Sequence, residues 1–189
     1  MTILAENISL WSMIIKGGWL MLPIFALSVW AVFIFFDKFL QIRKYLADAE
    51  TGDTPVSNII RRGRKFRHLP AAELRAIMEN AANEETSKME SCLPKLNTCA
   101  VLAPMIGFLG TVVGMIQAFY DMAQAGNNVS VELLSRGIYT ALITTVAGLI
   151  VGITASLLGS LLGSLIDKVV ARMESACNRF IEDQYKLTE

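Results

Sequence analysis

The 25 residues from Leu96 to Tyr120 contain no Asp, Glu, Lys, Arg or His. At a rise of about 1.5 Å per residue they make about 37 Å of helix, enough to cross a bilayer core of roughly 30 Å. No other feature limits the possible folds as strongly, and it predicts a membrane-spanning helix over 96–120. Within it Ala103, Gly107, Gly110, Thr111, Gly114 and Ala118 recur at spacings of three and four. The resulting stripe of small side chains, with Gly110 and Gly114 as a GxxxG pair, lets another helix backbone come close, because association in lipid depends on packing. Two more runs behave alike: 17–36 offers 20 uncharged residues and 137–166 offers 30. With 53% hydrophobic residues and the charges gathered in blocks, the chain reads as an all-α polytopic membrane protein with three spans.

Taken in order, residues 1–16 place Leu4, Ile8, Trp11 and Ile15 on one helical face. That pattern predicts a short interfacial helix lying on the membrane surface rather than a signal peptide. Span one, 17–36, has Trp19 and Trp30 toward its ends as interfacial anchors, with Pro23 in its first turns. The polar segment 37–95 continues the first helix, breaks at Thr51–Pro55, and resumes as an Ala-, Glu- and Met-rich helix leading into span two, with Pro94 as a kink. The segment 121–136 is a loop turning at Gly126, Asn127 and Asn128.

Span three, 137–166, would be about 45 Å long, more than the hydrocarbon thickness. Its tail Leu157–Ile166 is therefore expected to bury against neighbouring helices of an assembly. Gly148/Gly152 and Gly159/Gly163 form two further GxxxG pairs. Residues 167–189 complete the chain as an amphipathic helix in the same cytoplasmic bundle.

The side chains also exclude functions. Arg61, Arg62, Arg64, Lys65 and Arg67 form a basic run without an aromatic platform, so anionic lipid headgroups are the expected partner and nucleic acid is not. His68 is the only histidine, and Cys92, Cys99 and Cys177 form neither a paired framework nor a CxxC. No metal site or cofactor is expected from them. No Ser/His, Cys/His or paired-carboxylate constellation stands in or beside a span, which argues against an enzyme.

The formal charge of zero hides an asymmetry. Of 17 Lys and Arg, only Lys16 and Arg136 lie in the N-terminal segment or the 121–136 loop. The positive-inside rule puts the N-terminus outside and the C-terminus in the cytoplasm. Thr111 is ten residues before Asp121 and Thr145 nine after Arg136, so both sit about 14–15 Å from the outer boundary on antiparallel helices. A membrane threonine ordinarily bonds back to the carbonyl four residues earlier, here Gly107 or Ala141. Two at one depth would make a polar ring if several copies surround an axis.

At this point the residues match a family. APMIGFLGTVVGMIQAF, Ala103–Phe119, resembles the span-two signature of the MotA/TolQ/ExbB proton-channel family, and GIYTALITTVAGLIVGI, Gly137–Ile153, resembles its span-three signature. The three-span order with a long polar segment resembles ExbB and TolQ rather than four-span MotA. The resemblance implies a homopentamer in the bacterial inner membrane around an ExbD/TolR-like partner, whose single span carries a protonatable aspartate, together with a TonB/TolA-like protein. It also implies that Thr111 and Thr145 line the proton path, with Thr140 and Thr144 as lesser candidates. Two positions depart from the ExbB/TolQ pattern: Thr140 replaces a common glutamate, and Thr154 replaces the proline of Ile-Pro-Ala.

Because none of the three spans holds an Asp, Glu, His, Lys or Arg, this chain cannot hold the titrating site of a proton relay alone. It can form a threonine-lined sleeve while the partner carries the proton, with protons as coupling ion and no cofactor. A membrane scaffold without ion conduction is the alternative.

Overall fold

The computed structural model describes residues 19–47, 54–125 and 131–186. The expected surface helix over 1–16, residues 51–53 and the turn at Gly126–Asn128 lie outside them. Among the described residues every regular element is an α-helix: α1 (Met21–Ala47), α2 (Pro55–Lys65), α3 (Ala71–Glu90), α4 (Leu93–Ala125) and α5 (Val131–Lys186). Three stretches are long and apolar enough to cross a membrane; they lie in α1, in α4 and in α5.

Several boundaries differ from the sequence expectation for physical reasons. Thr54 and Pro55 do not complete a turn but begin α2: the Thr54 side chain accepts from the Ser57 N–H at 3.2 Å, the Ser57 hydroxyl accepts from the Thr54 N–H at 3.1 Å, and Pro55 occupies the first turn. This reciprocal cap satisfies two donors that a helix start leaves open. Pro94 does not kink a helix. It lies in the first turn of α4, where its missing N–H costs nothing, and the break falls at Ser91–Cys92. The loop over 121–136 is shorter than expected, since α4 continues to Ala125 and α5 begins at Val131. Span three and the closing amphipathic helix are one uninterrupted helix of 56 residues. It runs straight through Thr154, whose backbone keeps the N–H a proline would remove and whose hydroxyl bonds the Ile150 carbonyl at 2.7 Å.

The described residues divide into two compact units, one formed by residues up to Phe33 with those of Leu96–Leu157, the other by those of Ile34–Lys95 with those from Leu158 onward. In the first, Met21, Ile24 and Ala31 of α1 are buried while Trp19, Leu22, Phe25 and Phe33 are between 55% and 75% exposed. Apolar side chains turned outward on that scale suit contact with lipid rather than water. The inner line of α4 (Cys99, Ala103, Gly107, Gly110, Ala118) meets that of α5 (Ala141, Thr144, Gly148, Gly152).

The second unit has a different core, built from large side chains: Ile42, Ile59, Leu74, Met78, Leu162, Ile166, Val169 and Met173, all at most 2% exposed. Full burial of each such side chain stabilises by about 1.5–3 kcal/mol. Spacings of three and four along α5, from Leu162 to Ile181, keep one stripe on this core. Leu162 and Ile166, in the tail expected to need a neighbouring copy, are thus covered by their own chain, while Leu157 and Leu161 remain outward. Gly63 lets α2 sit close, since a Cβ there would stand 2.9 Å from Phe180 Cε1 and 3.0 Å from Met78 Sδ. Arg172 donates to the Leu46 carbonyl at 2.7 Å, supplying a donor to an acceptor that the end of α1 leaves open.

Candidate functional site: the seam between spans two and three

Glycine brings α4 and α5 together. A Cβ at Gly148 would lie 2.5 Å from the Ala103 carbonyl oxygen, one at Gly107 3.0 Å from the Thr144 oxygen, and one at Gly114 2.8 Å from Ala141 Cβ. Even a methyl at these positions would force the neighbouring helix to shift, so glycine is what lets the two helices come this close. Gly137, which the sequence reading did not single out, does the same against Ala118. Gly107, Gly110, Gly114, Gly148 and Gly152 therefore meet a helix of the same chain rather than a second copy. A Cβ at Gly163, in the other unit, would meet nothing within 4 Å, and Gly159 beside it is half-buried.

The hydroxyls distribute themselves along this seam. Thr145 does not bond the Ala141 carbonyl of its own helix; its Oγ1 donates across to the Gly107 carbonyl at 2.8 Å. Thr144 takes the Ala141 carbonyl at 2.7 Å, is 2% exposed, and lies directly against Gly110. Thr111 bonds Phe108 at 2.7 Å, three residues back rather than four. At about 100° per residue Thr111 is displaced about 40° around α4 from Gly107, and Thr145 about 60° around α5 from Gly148. Because the helices run antiparallel, both displacements lead to the same flank. Thr140, about 140° around from Thr145, faces the other flank.

The chemistry of that flank follows. A carbonyl cannot donate, so the single hydrogen of each hydroxyl is committed to Phe108 or Gly107 and the lone pairs of both threonine oxygens stay available. The pair offers acceptors without charge. Such a surface favours a protonated carboxyl or a small cation over a carboxylate. The sequence reading named the Gly107 carbonyl as the acceptor for Thr111 of its own helix; that it serves Thr145 instead, while Phe108 O serves Thr111, had no signal, since every residue carries the same carbonyl.

The basic residues belong to the other unit. Arg62 pairs with Glu84 at 2.9 Å, and Arg67 donates to Gln184 at 2.6 Å. Arg61 reaches Asn58 at 2.9 Å, the Lys65 ammonium lies 5.9 Å from the Phe66 ring, and Arg64 is exposed. Three of the five lipid-headgroup candidates, Arg61, Arg62 and Arg67, are thus bonded to their own chain. Lys88 and then Arg62 hydrogen-bond Glu84 and hold its carboxyl below the usual range, and Glu84 and Glu85 raise Lys88. A polar groove of about 450 Å³ runs between α3 and α5, lined by Arg75, Glu79 and Glu174 with Cys177 on its wall. Burial pushes the thiols of Cys92 and Cys177 up, so neither is a ready nucleophile. His68 is exposed, and among the described residues no three His, Cys, Asp or Glu side chains come together to hold a metal.

Comparison with known proteins meets the same seam. The MotA/TolQ/ExbB proton channel family matches residues 51–175. The chain is similar to an ExbB-like protein, ExbB-like 1, of Synechocystis sp., 31% identical over 160 residues, which cover 71% of this chain and 63% of that one. It is similar to an ExbB homolog of Methanothermobacter thermautotrophicus, described as a biopolymer transport protein, 38% identical over 95 residues, 50% of this chain and 33% of that one. The Tol-Pal system protein TolQ of Pseudomonas aeruginosa is 28% identical over 166 residues, 79% of this chain and 70% of that one. The chain thus spans between one third and two thirds of the length of the first two relatives. With three membrane-spanning stretches, a glycine seam and this match, the chain is a multi-pass membrane protein of the MotA/TolQ/ExbB proton channel family, of the ExbB/TolQ type.

Proposed function

We propose that this chain is the sleeve subunit of a proton-motive-force-driven motor in the bacterial inner membrane, N-terminus outside and C-terminus in the cytoplasm. Several copies, five by family resemblance, surround a single-span ExbD/TolR-like partner, whose membrane aspartate carries the proton. Motion of the partner passes to a TonB/TolA-like protein and the outer envelope. The observation that carries this reading is the flank holding Thr111 and Thr145: two hydroxyl oxygens at one depth, hydrogens committed to backbone carbonyls, in spans without Asp, Glu, His, Lys or Arg. There the partner's aspartate is accepted in its protonated form, which can donate to these oxygens. As a carboxylate it would meet only acceptors and little water, so it discharges only where water reaches it. The exposed basic run faces anionic headgroups on the cytoplasmic side, Arg64 and Lys65 first among them, since Arg61, Arg62 and Arg67 are bonded within the chain.

Thr111→Val and Thr145→Val test the reading, since valine keeps nearly the volume and removes the hydroxyl. An interhelical hydroxyl bond in a membrane averages only about 0.6 kcal/mol. Both variants should therefore assemble and retain the partner on co-purification while energy-dependent work falls at least tenfold, with Thr144→Val, inside the seam, close to the parent. Full activity in both, with the partner bound, would leave the scaffold reading standing instead. A cysteine placed at the exposed Ser87 should react with an impermeant maleimide only from the cytoplasmic side, and labelling from outside would reverse the orientation.

A further inference from the structure

Pro104 lies inside α4 and has no N–H, so the Ala100 carbonyl one turn earlier has lost its helical donor within an apolar span. A soluble helix would leave such an oxygen to water. Here span three covers it. At Gly152 the position of a Cβ would stand 2.9 Å from the Ala100 oxygen and 2.5 and 2.7 Å from Pro104 Cγ and Cδ. The hydrogen that glycine carries in that direction therefore lies in a space bounded by the released carbonyl and the ring, where any larger group would meet both.

Gly148 and Gly107 approach carbonyls in the same way, at Ala103 and Thr144, but those oxygens keep the ordinary helical donors of residues 107 and 148. Only at Gly152 is the covered oxygen one that the helix itself leaves unsatisfied. Gly152 and Pro104 lie on the flank of the seam that also carries Thr111 and Thr145, and Gly152 is seven residues, about two turns, from Thr145.

We propose that Gly152 is a positioning residue that covers the carbonyl released by Pro104 and thereby sets the register in which Thr145 reaches Gly107. Proline and glycine form one device: the first opens the helix, and the second lets the neighbouring backbone close over the opening. The contact itself stands on packing; its consequence for proton-coupled work rests on the reading of Thr111 and Thr145 above.

The test is a rescue experiment on the full chain in mild detergent, reading the thermal midpoint and the yield of monodisperse protein. Gly152→Ala should lower the midpoint by about 5 °C or more, because the added methyl meets a ring and a carbonyl. Pro104→Ala removes Cγ and Cδ and returns a donor to Ala100, so the double variant Pro104→Ala/Gly152→Ala should recover at least half of the loss. Gly148→Ala, which meets Ala103 O and Gly107 instead, should not be recovered by Pro104→Ala. If Gly152→Ala does not accumulate folded protein, recovery of yield in the double variant is the readout. A Gly152→Ala midpoint equal to the parent's, no rescue by Pro104→Ala, or equal rescue of Gly148→Ala would each overturn the proposal. None of these outcomes depends on proton coupling, so inactive or active threonine variants leave them unchanged.

Discussion

The seam between spans two and three and the core of the second unit hold helices together by opposite means. In the seam the contacts are glycine backbone against carbonyl, with ideal Cβ positions 2.5–3.0 Å from backbone oxygens at Gly148 and Gly107. In the other core Leu74, Met78, Leu162 and Met173 interdigitate as fully buried side chains. The difference follows the solvent. Where lipid surrounds a helix, burying a leucine gains little over leaving it in hydrocarbon, so close approach is what remains to be optimised. Where charged residues cover the outside, exclusion of apolar side chains from water is the dominant force.

The most severe way to break the comparison is Gly148→Leu. A side chain there would need the space of the Ala103 oxygen and of Gly107 Cα, and neither can move without parting the helices. Gel filtration in mild detergent should lose the folded peak entirely, whereas Gly163→Leu, with nothing within 4 Å of its Cβ position, should elute as the parent. Equal loss in both would mean that the seam has no special intolerance.

Leu74→Ala reverses the test, since a cavity harms the second core and not a seam. It should cost about 2–5 kcal/mol. By hydrogen exchange the amides of α2 and α3 should lose protection by roughly 30-fold or more, with those of α4 around Gly107 unchanged. Matching loss around Gly107 would merge the two regions into one cooperative body.

The smallest effect belongs to the exposed network of Arg62, Glu84 and Lys88 in the second unit. Glu84 has its pKa lowered, so its contribution is present above the ordinary carboxylate range and is lost as pH falls through the depressed folded value. Lys88 has its pKa raised, so its contribution is present below the ordinary lysine value and is lost as pH rises through the elevated folded one. Thermal midpoints should be flat between these limits and dip slightly beyond each, with the acid dip reduced in Glu84→Gln. An acid dip of undiminished size in that variant would assign it to other carboxylates.

The spans were legible because charge is a property of residue type: 96–120 without a charged side chain reads as a membrane helix with no knowledge of its neighbours. The glycine stripes were legible as small surfaces, but whether they meet another copy or another span was not, since spacing along one helix says nothing about which helix lies opposite. Helix ends were read less well. Thr54-Pro55 has the composition of a turn and the geometry of a cap, and Pro94 sits where a kink and a helix start look alike in sequence.

The sequence by itself determined three spans, their apolar lengths, the asymmetry of basic residues, and the absence of any Asp, Glu, His, Lys or Arg within the membrane runs, all of which are sums over residue types. Only the tertiary structure decided that Thr145 donates to Gly107 and not to Ala141, that Thr140 turns to the other flank, and that Gly152 lies over the carbonyl freed by Pro104. The physical reason is that backbone carbonyls are chemically identical along a chain. Which of them a hydroxyl or a glycine meets depends on the register of one helix against another, and that register is set by packing.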